Sequence, residues 1–179
     1  MNYLKIYKDS ISDGPGFRVS LYISGCRNHC PGCHNPESWN FNAGKLFDKQ
    51  AIDEILDLCS KPYISGLTIA GGEPMEQENQ AVLADLVNEV KFRYPAKAIW
   101  CYTGYELDDL FPGGKKNCKY TAKLLRNIDV LVVGPFILEQ RDISDDNRWR
   151  GSRNQRVLDL PKTLETGKII YLENIPNNE

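Results

Sequence analysis

The chain has 179 residues, 41% of them apolar and 26% charged, a mix that suits a soluble globular domain with its own core and excludes a disordered segment. It is too short for a complete eight-fold β/α barrel, which needs about 250 residues. Lys and Arg total 22 against 24 Asp and Glu, a net charge of −2, so no basic excess points to nucleic acid.

In chain order, the N-terminal MNYLKIYKDS is polar and lacks the apolar stretch of a signal peptide, which sets the expectation of a cytoplasmic protein. Phe17 to Ser24 is rich in β-branched and aromatic residues and reads as a strand running into Gly25 and a cysteine cluster. Residues 48 to 59 place Ile52, Ile55, Leu56 and Cys59 on one helical face, with Asp48 as N-cap. Leu67 to Ala70 is a short buried strand ending at Gly71-Gly72. Residues 79 to 92 put Val82, Leu83, Leu86, Val87 and Val90 on one face of a second helix, closed by Pro95. Ala98 to Tyr102 is the next strand and leads to Thr103-Gly104-Tyr105. A turn at Pro112-Gly113-Gly114, a helix over 120–127 and a buried strand over 129–133 follow. The longest apolar run, Val130 to Leu138, is broken by Gly134 and Pro135 and is too short to span a bilayer. Gln140 to Arg156 is polar and arginine-rich, and a final strand, Lys168 to Leu172, precedes a polar tail from about residue 173.

Strands alternating with helices predict an α/β fold with a mostly parallel sheet, one domain over 1–179. In such sheets ligands gather beyond the carboxyl ends of the strands. The cysteine cluster, Gly71-Gly72 and Thr103-Gly104 all fall at that edge.

Six cysteines in a chain without a secretion signal argue against a disulfide framework. Cys26, Cys30 and Cys33 form a C-x3-C-x2-C cluster, whereas Cys59, Cys101 and Cys118 are scattered. Thiolates bind iron–sulfur clusters, and three local cysteines leave one iron of a four-iron cluster open to a substrate. The alternatives are a Cys3His zinc site, drawing on His29 or His34, and a ferredoxin-like carrier whose fourth ligand is Cys59, Cys101 or Cys118. Cys59 and Cys101, on an apolar helix face and within a strand, read as core residues.

C-x3-C-x2-C after a strand, with Gly71-Gly72-Glu73-Pro74-Met75 after the next, resembles the radical S-adenosylmethionine (SAM) superfamily. Asp13-Gly-Pro-Gly-Phe-Arg18, Pro31-Gly-Cys-His-Asn-Pro36 and Trp39 narrow the likeness to the glycyl-radical activating enzymes. Trp100 to Tyr105, Val132-Val-Gly-Pro-Phe136, Trp149-Arg-Gly-Ser152 and Asn154-Gln-Arg156 narrow it to the activating proteins of anaerobic ribonucleoside-triphosphate reductases. The resemblance covers about residues 1 to 160. It implies a partial, incomplete β/α barrel whose open side admits a loop of a partner protein. It also implies a [4Fe–4S] cluster on Cys26, Cys30 and Cys33, with one iron not held by cysteine. SAM contacts would come from Gly32, Cys33, His34, Gly71, Gly72, Glu73 and Pro74. The implied reaction is reductive cleavage of SAM to methionine and a 5′-deoxyadenosyl radical, which takes a hydrogen from a glycine of the reductase. The electron comes from an external donor such as a reduced flavodoxin.

The chain departs from the resembled pattern at Gly32, where many radical SAM proteins carry an aromatic residue, and at Val133, where relatives carry Asp. Within the same superfamily a pyruvate formate-lyase activase is the nearest rival; outside it stands a zinc-stabilised interaction domain. Gly113-Gly114-Lys115-Lys116 lacks phosphate-loop spacing, and with only two histidines, both in the cysteine cluster, a Ser–His–Asp relay is excluded. The arginines between Arg141 and Arg156, offset by Asp142, Asp145 and Asp146, read as a solvated loop, a partner-docking surface or a contact to the SAM carboxylate.

Overall fold

The computed structural model describes residues 1–144 and 148–173. Asp145, Asp146 and the tail beyond Glu173 lie outside the described residues. The elements are β1 (Asn2–Ser10), β2 (Phe17–Ile23), β3 (Lys45–Leu46), α1 (Lys49–Ser60), β4 (Ile64–Gly71), α2 (Gln77–Arg93), β5 (Ala98–Tyr102), α3 (Thr121–Leu125), β6 (Val130–Val133), β7 (Arg156–Asp159) and α4 (Leu160–Thr166). They build one seven-stranded mixed sheet in the order β3-β1-β2-β4-β5-β6-β7. The middle four strands, β2, β4, β5 and β6, run parallel, and β1 and β7 join them antiparallel on either side.

Side chains alternate across a strand, and the two faces of this sheet differ accordingly. Val19, Leu21 and Ile23 of β2, Leu67 and Ile69 of β4, and Leu131 and Val133 of β6 pack with the apolar stripes of α1 and α2 in the main core. Asp48 caps α1 as expected, its side chain accepting from Ala51 N at 3.1 Å. On the opposite face Trp100, Val130, Val132 and Val157 form a smaller cluster, with Trp149 and Leu172 packed on it. β4 and β5 approach so closely that a Cβ at Gly66 would lie 1.8 Å from the Ala98 carbonyl oxygen.

Arg18 lies on this second face and is fully buried. Its Nε donates to Thr68 Oγ1 at 2.7 Å, and its Nη2 donates to the carbonyls of Leu67 (2.9 Å) and Ala98 (2.8 Å). Burial lowers its pKa to about 10, which leaves it charged at neutral pH. Thr68 Oγ1 in turn donates to the Asp13 carbonyl at 2.8 Å. The Asp13–Arg18 segment is thereby fastened across the bases of β4 and β5, with Asp13 at the cavity described below.

One strand leaves no signal in the sequence, and one expectation needs correction. The N-terminal segment is a strand, β1, although none of its residues is fully buried. Its solvated positions carry Lys5, Lys8 and Asp9, which give the segment its polar look. The expected strand over 168–172 joins its neighbours through a single bridge, Tyr171 to Leu158, and the antiparallel edge is β7 instead. Ile169 and Tyr171 remain 42% and 37% exposed, too little buried to hold a strand in the sheet. Among the described residues, no helix is long and apolar enough to cross a membrane.

Candidate functional site

The cysteine loop begins where β2 ends. Gly25 turns the chain with φ +94°, and a Cβ there would lie 2.3 Å from the Phe41 ring. The loop is bonded on two sides. Gly25 N donates to Ser38 O at 2.7 Å and Cys26 N to Trp39 O at 3.2 Å, both in a 3-10 turn over Pro36–Trp39. Gly72 N donates to Ile23 O, and Glu73 N to Gly25 O, each at 2.8 Å. A Cβ at Gly72 would approach Gly25 O to 2.8 Å, so the turn after β4 can press against the cysteine loop only as glycine.

Cys26, Cys30 and Cys33 are half-buried and border one cavity of about 710 Å³, within the range of small-molecule and cofactor sites. Burial raises the Cys26 thiol to about 11 and the Cys30 thiol above its usual range. His34, Gly71, Gly72 and Glu73 border the same cavity; Gly32 and Pro74 do not. Gly32 instead faces Leu138, whose Cδ1 would lie 2.7 Å from an added Cβ. His29, at φ +46°, stacks on Trp39 with ring centroids 4.6 Å apart, and His34 meets Phe136 edge-on at 5.8 Å. Both imidazoles are engaged with aromatic rings. Among the described residues no three His, Cys, Asp or Glu side chains converge as a site for a metal ion. The three thiols border one volume, and cysteine thiolates are the donors that iron–sulfur clusters take.

Glu73 is 1% exposed. Its carboxyl accepts from Thr103 Oγ1 (2.7 Å), Gly104 N and Met75 N (2.8 Å each) and Asn28 Nδ2 (3.0 Å). Burial pushes its pKa up to about 7, while the bonds from Thr103, Met75 and Gly104 pull the other way. One carboxyl thus joins the cysteine loop, the turn after β4 and the end of β5. Glu76, equally buried, does not border the cavity. It accepts from Arg27 Nη1 (2.7 Å), Tyr105 Oη and Lys116 Nζ (2.8 Å each) and Arg27 N (3.2 Å). Arg27 also reaches Glu78 at 2.6 Å. Burial opposes ionisation of Glu76, yet the bonds from Lys116, Tyr105 and Arg27 outweigh it and hold the carboxyl below its ordinary 4.5.

The far wall comes from Asp13, Tyr22 and Tyr102 and from the arginine-rich segment. Tyr22 Oη and Ser10 Oγ donate to the Asp13 carboxylate at 3.0 and 2.8 Å. Arg141, Arg148 and Arg150 border the cavity, while Arg153 faces Asp142 at 3.4 Å and Arg156 bonds Glu106. Gln155 fixes this wall: its Nε2 donates to Gly134 O at 2.9 Å and its Oε1 accepts from Gly151 N at 2.8 Å. Val133 is fully buried on β6 in the main core. Cys59 and Cys101 are 0% exposed, as core residues should be, and Cys118 donates to Gln80 Oε1 at 3.2 Å, away from the cavity.

Sequence reasoning did not single out Asn28 or Glu76, or foresee the pairing of Thr103 with Glu73. Glu76 follows the Gly71–Met75 motif directly, but nothing in a sequence marks a carboxylate as buried.

A family model described as a 4Fe-4S single cluster domain matches residues 12–158. Among curated proteins, an anaerobic ribonucleoside-triphosphate reductase-activating protein of Haemophilus influenzae is 43% identical over 161 residues, covering 88% of this chain and 97% of its own. The protein of that name from Enterobacteria phage T4 is 37% identical over 157 residues, 88% and 93% of the two chains. That of Escherichia coli K12 is 36% identical over 159 residues, 88% and 97%.

Proposed function

The chain belongs to the anaerobic ribonucleoside-triphosphate reductase-activating proteins and carries their 4Fe-4S domain, and from that premise we propose that it activates such a reductase by placing a glycyl radical on it. The observation that carries the proposal is one cavity bordered by three thiols of a single loop and by the Gly71–Glu73 turn. In this reading the whole chain, 1–179, is one radical SAM domain, a partial β/α barrel working in the cytoplasm. Cys26, Cys30 and Cys33 hold a [4Fe–4S] cluster with one iron free of cysteine. Gly32, Cys33, His34 and the Gly71–Pro74 turn contact SAM.

The donor set fits the group. Three thiols bordering one volume suit iron, and the glycine at position 72 lets the turn lie against the backbone of the cysteine loop, where a Cβ would come within 2.8 Å of Gly25 O. When bound, cluster and SAM would supply a 5′-deoxyadenosyl radical by reductive cleavage, the electron arriving from an external donor such as a reduced flavodoxin. The chain's own task is placement. The bonds from Cys26 N and Gly25 N fix the loop, and Glu73 ties it to the ends of β4 and β5. Gly71 and Gly72 border the cavity, and their lack of a Cβ lets the turn pack directly on the end of β2 and the cysteine loop. No general acid or base is required, and the chain contributes by orienting the target glycine.

The test mixes reduced, iron-loaded protein with SAM and an anaerobic ribonucleoside-triphosphate reductase. A glycyl-radical doublet by electron paramagnetic resonance is expected, and its loss in each of Cys26→Ala, Cys30→Ala and Cys33→Ala. Normal 5′-deoxyadenosine production by any of these variants overturns the ligand assignment. SAM cleavage without the doublet moves the target to another glycyl-radical enzyme, such as pyruvate formate-lyase.

A further inference from the structure

Asn79, the third residue of α2, is 1% exposed and divides its side chain between two loops of the site. Its Nδ2 donates to Ser24 O and to Glu73 O, each at 3.1 Å. Both neighbours of that end of the amide are acceptors, so only an NH2 group fits there, and both of its hydrogens are used. Ser24 lies between β2 and Gly25, at the root of the cysteine loop. The carbonyls on either side of it are taken by the turn after β4: Ile23 O accepts from Gly72 N and Gly25 O from Glu73 N, each at 2.8 Å. Asn79 claims the carbonyl between them, and through Glu73 O it grips the turn as well. One neutral side chain of α2 thus ties the turn to the root of the cysteine loop.

We propose that Asn79 is a positioning residue for SAM cleavage: it fixes the Gly71–Glu73 turn against the cysteine loop, so that a molecule contacting both meets them in one arrangement. The inference rests on the reading that Cys26, Cys30 and Cys33 hold the cluster and that SAM contacts the turn. A ligand that touches two loops at once depends on the spacing between them, and a misplacement of about 1 Å can lower a rate about 100-fold. The spacing here leaves little tolerance, since a Cβ at Gly72 would lie 2.8 Å from Gly25 O and 3.1 Å from Ile23 O. Asn79 itself does not border the cavity and acts only through the loops it joins.

The experiment compares the anaerobically reconstituted parent with two variants. Asn79→Leu keeps the branched shape of the side chain and removes both donors. Val90→Ala truncates a fully buried core residue about three turns further along the same helix. Iron content and 5′-deoxyadenosine formed at saturating SAM are measured below the melting temperature of each. The expected result is parent-like iron in all three, with cleavage lowered about 10–100-fold in Asn79→Leu and unchanged in Val90→Ala. Parent-like cleavage by Asn79→Leu at equal iron overturns the proposal, and so does an equal fall in Val90→Ala, which marks a general loss of stability. Deuterium exchange in the apoproteins is the second readout, and it decides should Asn79→Leu take up no iron. Exchange faster at Gly72 and Glu73 alone supports the proposal; exchange parent-like there, or faster throughout α2, overturns it. Failure of the underlying reading looks different: the parent itself would form no 5′-deoxyadenosine.

Discussion

Replacing Glu76 by Ala removes the acceptor shared by Arg27, Tyr105 and Lys116. Breaking a buried ion pair costs about 3–5 kcal/mol when the remaining charge stays buried. That figure must be discounted here. The Arg27 side chain is 52% exposed and keeps Glu78, so it rehydrates at little cost, and Lys116 is 15% exposed. The Tyr105 hydroxyl, in contrast, loses its only acceptor described here and is left buried, a loss of about 1–3 kcal/mol. Taking about 2 kcal/mol at Tyr105 and about 1 kcal/mol at the largely buried Lys116, the sum is about 3 kcal/mol, or roughly 6–12 °C in melting temperature for a chain of this size. Glu76→Gln keeps an oxygen for Tyr105 and should lose about half as much. Urea unfolding of the apoprotein at pH 7 under reducing conditions measures it, because all six cysteines are free. The folded carboxyl lies below its ordinary 4.5, so its stabilisation is whole above that pH and fades as pH falls through the lowered value. The gap between parent and Glu76→Ala must shrink in the same direction. A loss under about 0.5 kcal/mol, typical of exposed pairs, would refute the claim that Glu76 anchors the loop.

Glu73 gives the opposite pH dependence. Its folded pKa is raised to about 7, so the folded state holds a proton that the unfolded chain releases near 4.5, and stability falls as pH rises between those values. Glu73→Gln should flatten that slope in urea midpoints taken from pH 5 to pH 7.5, and an unchanged slope would show that the carboxyl ionises freely when folded. Cys59→Ala should leave iron content and SAM cleavage at parent levels while costing about 1 kcal/mol of stability through a small core cavity; a fall in bound iron would make Cys59 a ligand.

What the sequence discloses depends on how local the determinant is. α1, α2 and β5 are legible because burial imprints a period on a contiguous stretch, and their apolar faces lie where that period puts them. β1 is not, since a strand with no fully buried residue leaves no such imprint. β7 and α4 hide in Arg156–Thr166, where a short apolar strand passes at once into an Asp159-capped helix and neither part is long enough to show a period. The site divides in the same way. The three cysteines span eight residues and are recognisable by spacing alone. The donors around Glu73 come from Asn28, Thr103 and Gly104, separated from it by 45, 30 and 31 residues, and only the folded sheet brings them together.

Glu73 and Glu76 sit three residues apart, each 1% exposed, and yet their carboxyls shift in opposite directions. The difference lies in the partners. Neutral donors surround Glu73, and they satisfy its oxygens without cancelling its charge, so burial dominates. Two cations reach Glu76 and neutralise it in place, which makes it a structural anchor for the cysteine loop and α2. Only Glu73 borders the cavity. The fold has thus surrounded one of two neighbouring buried carboxyls with cations and the other with neutral donors, and each titrates as its partners dictate.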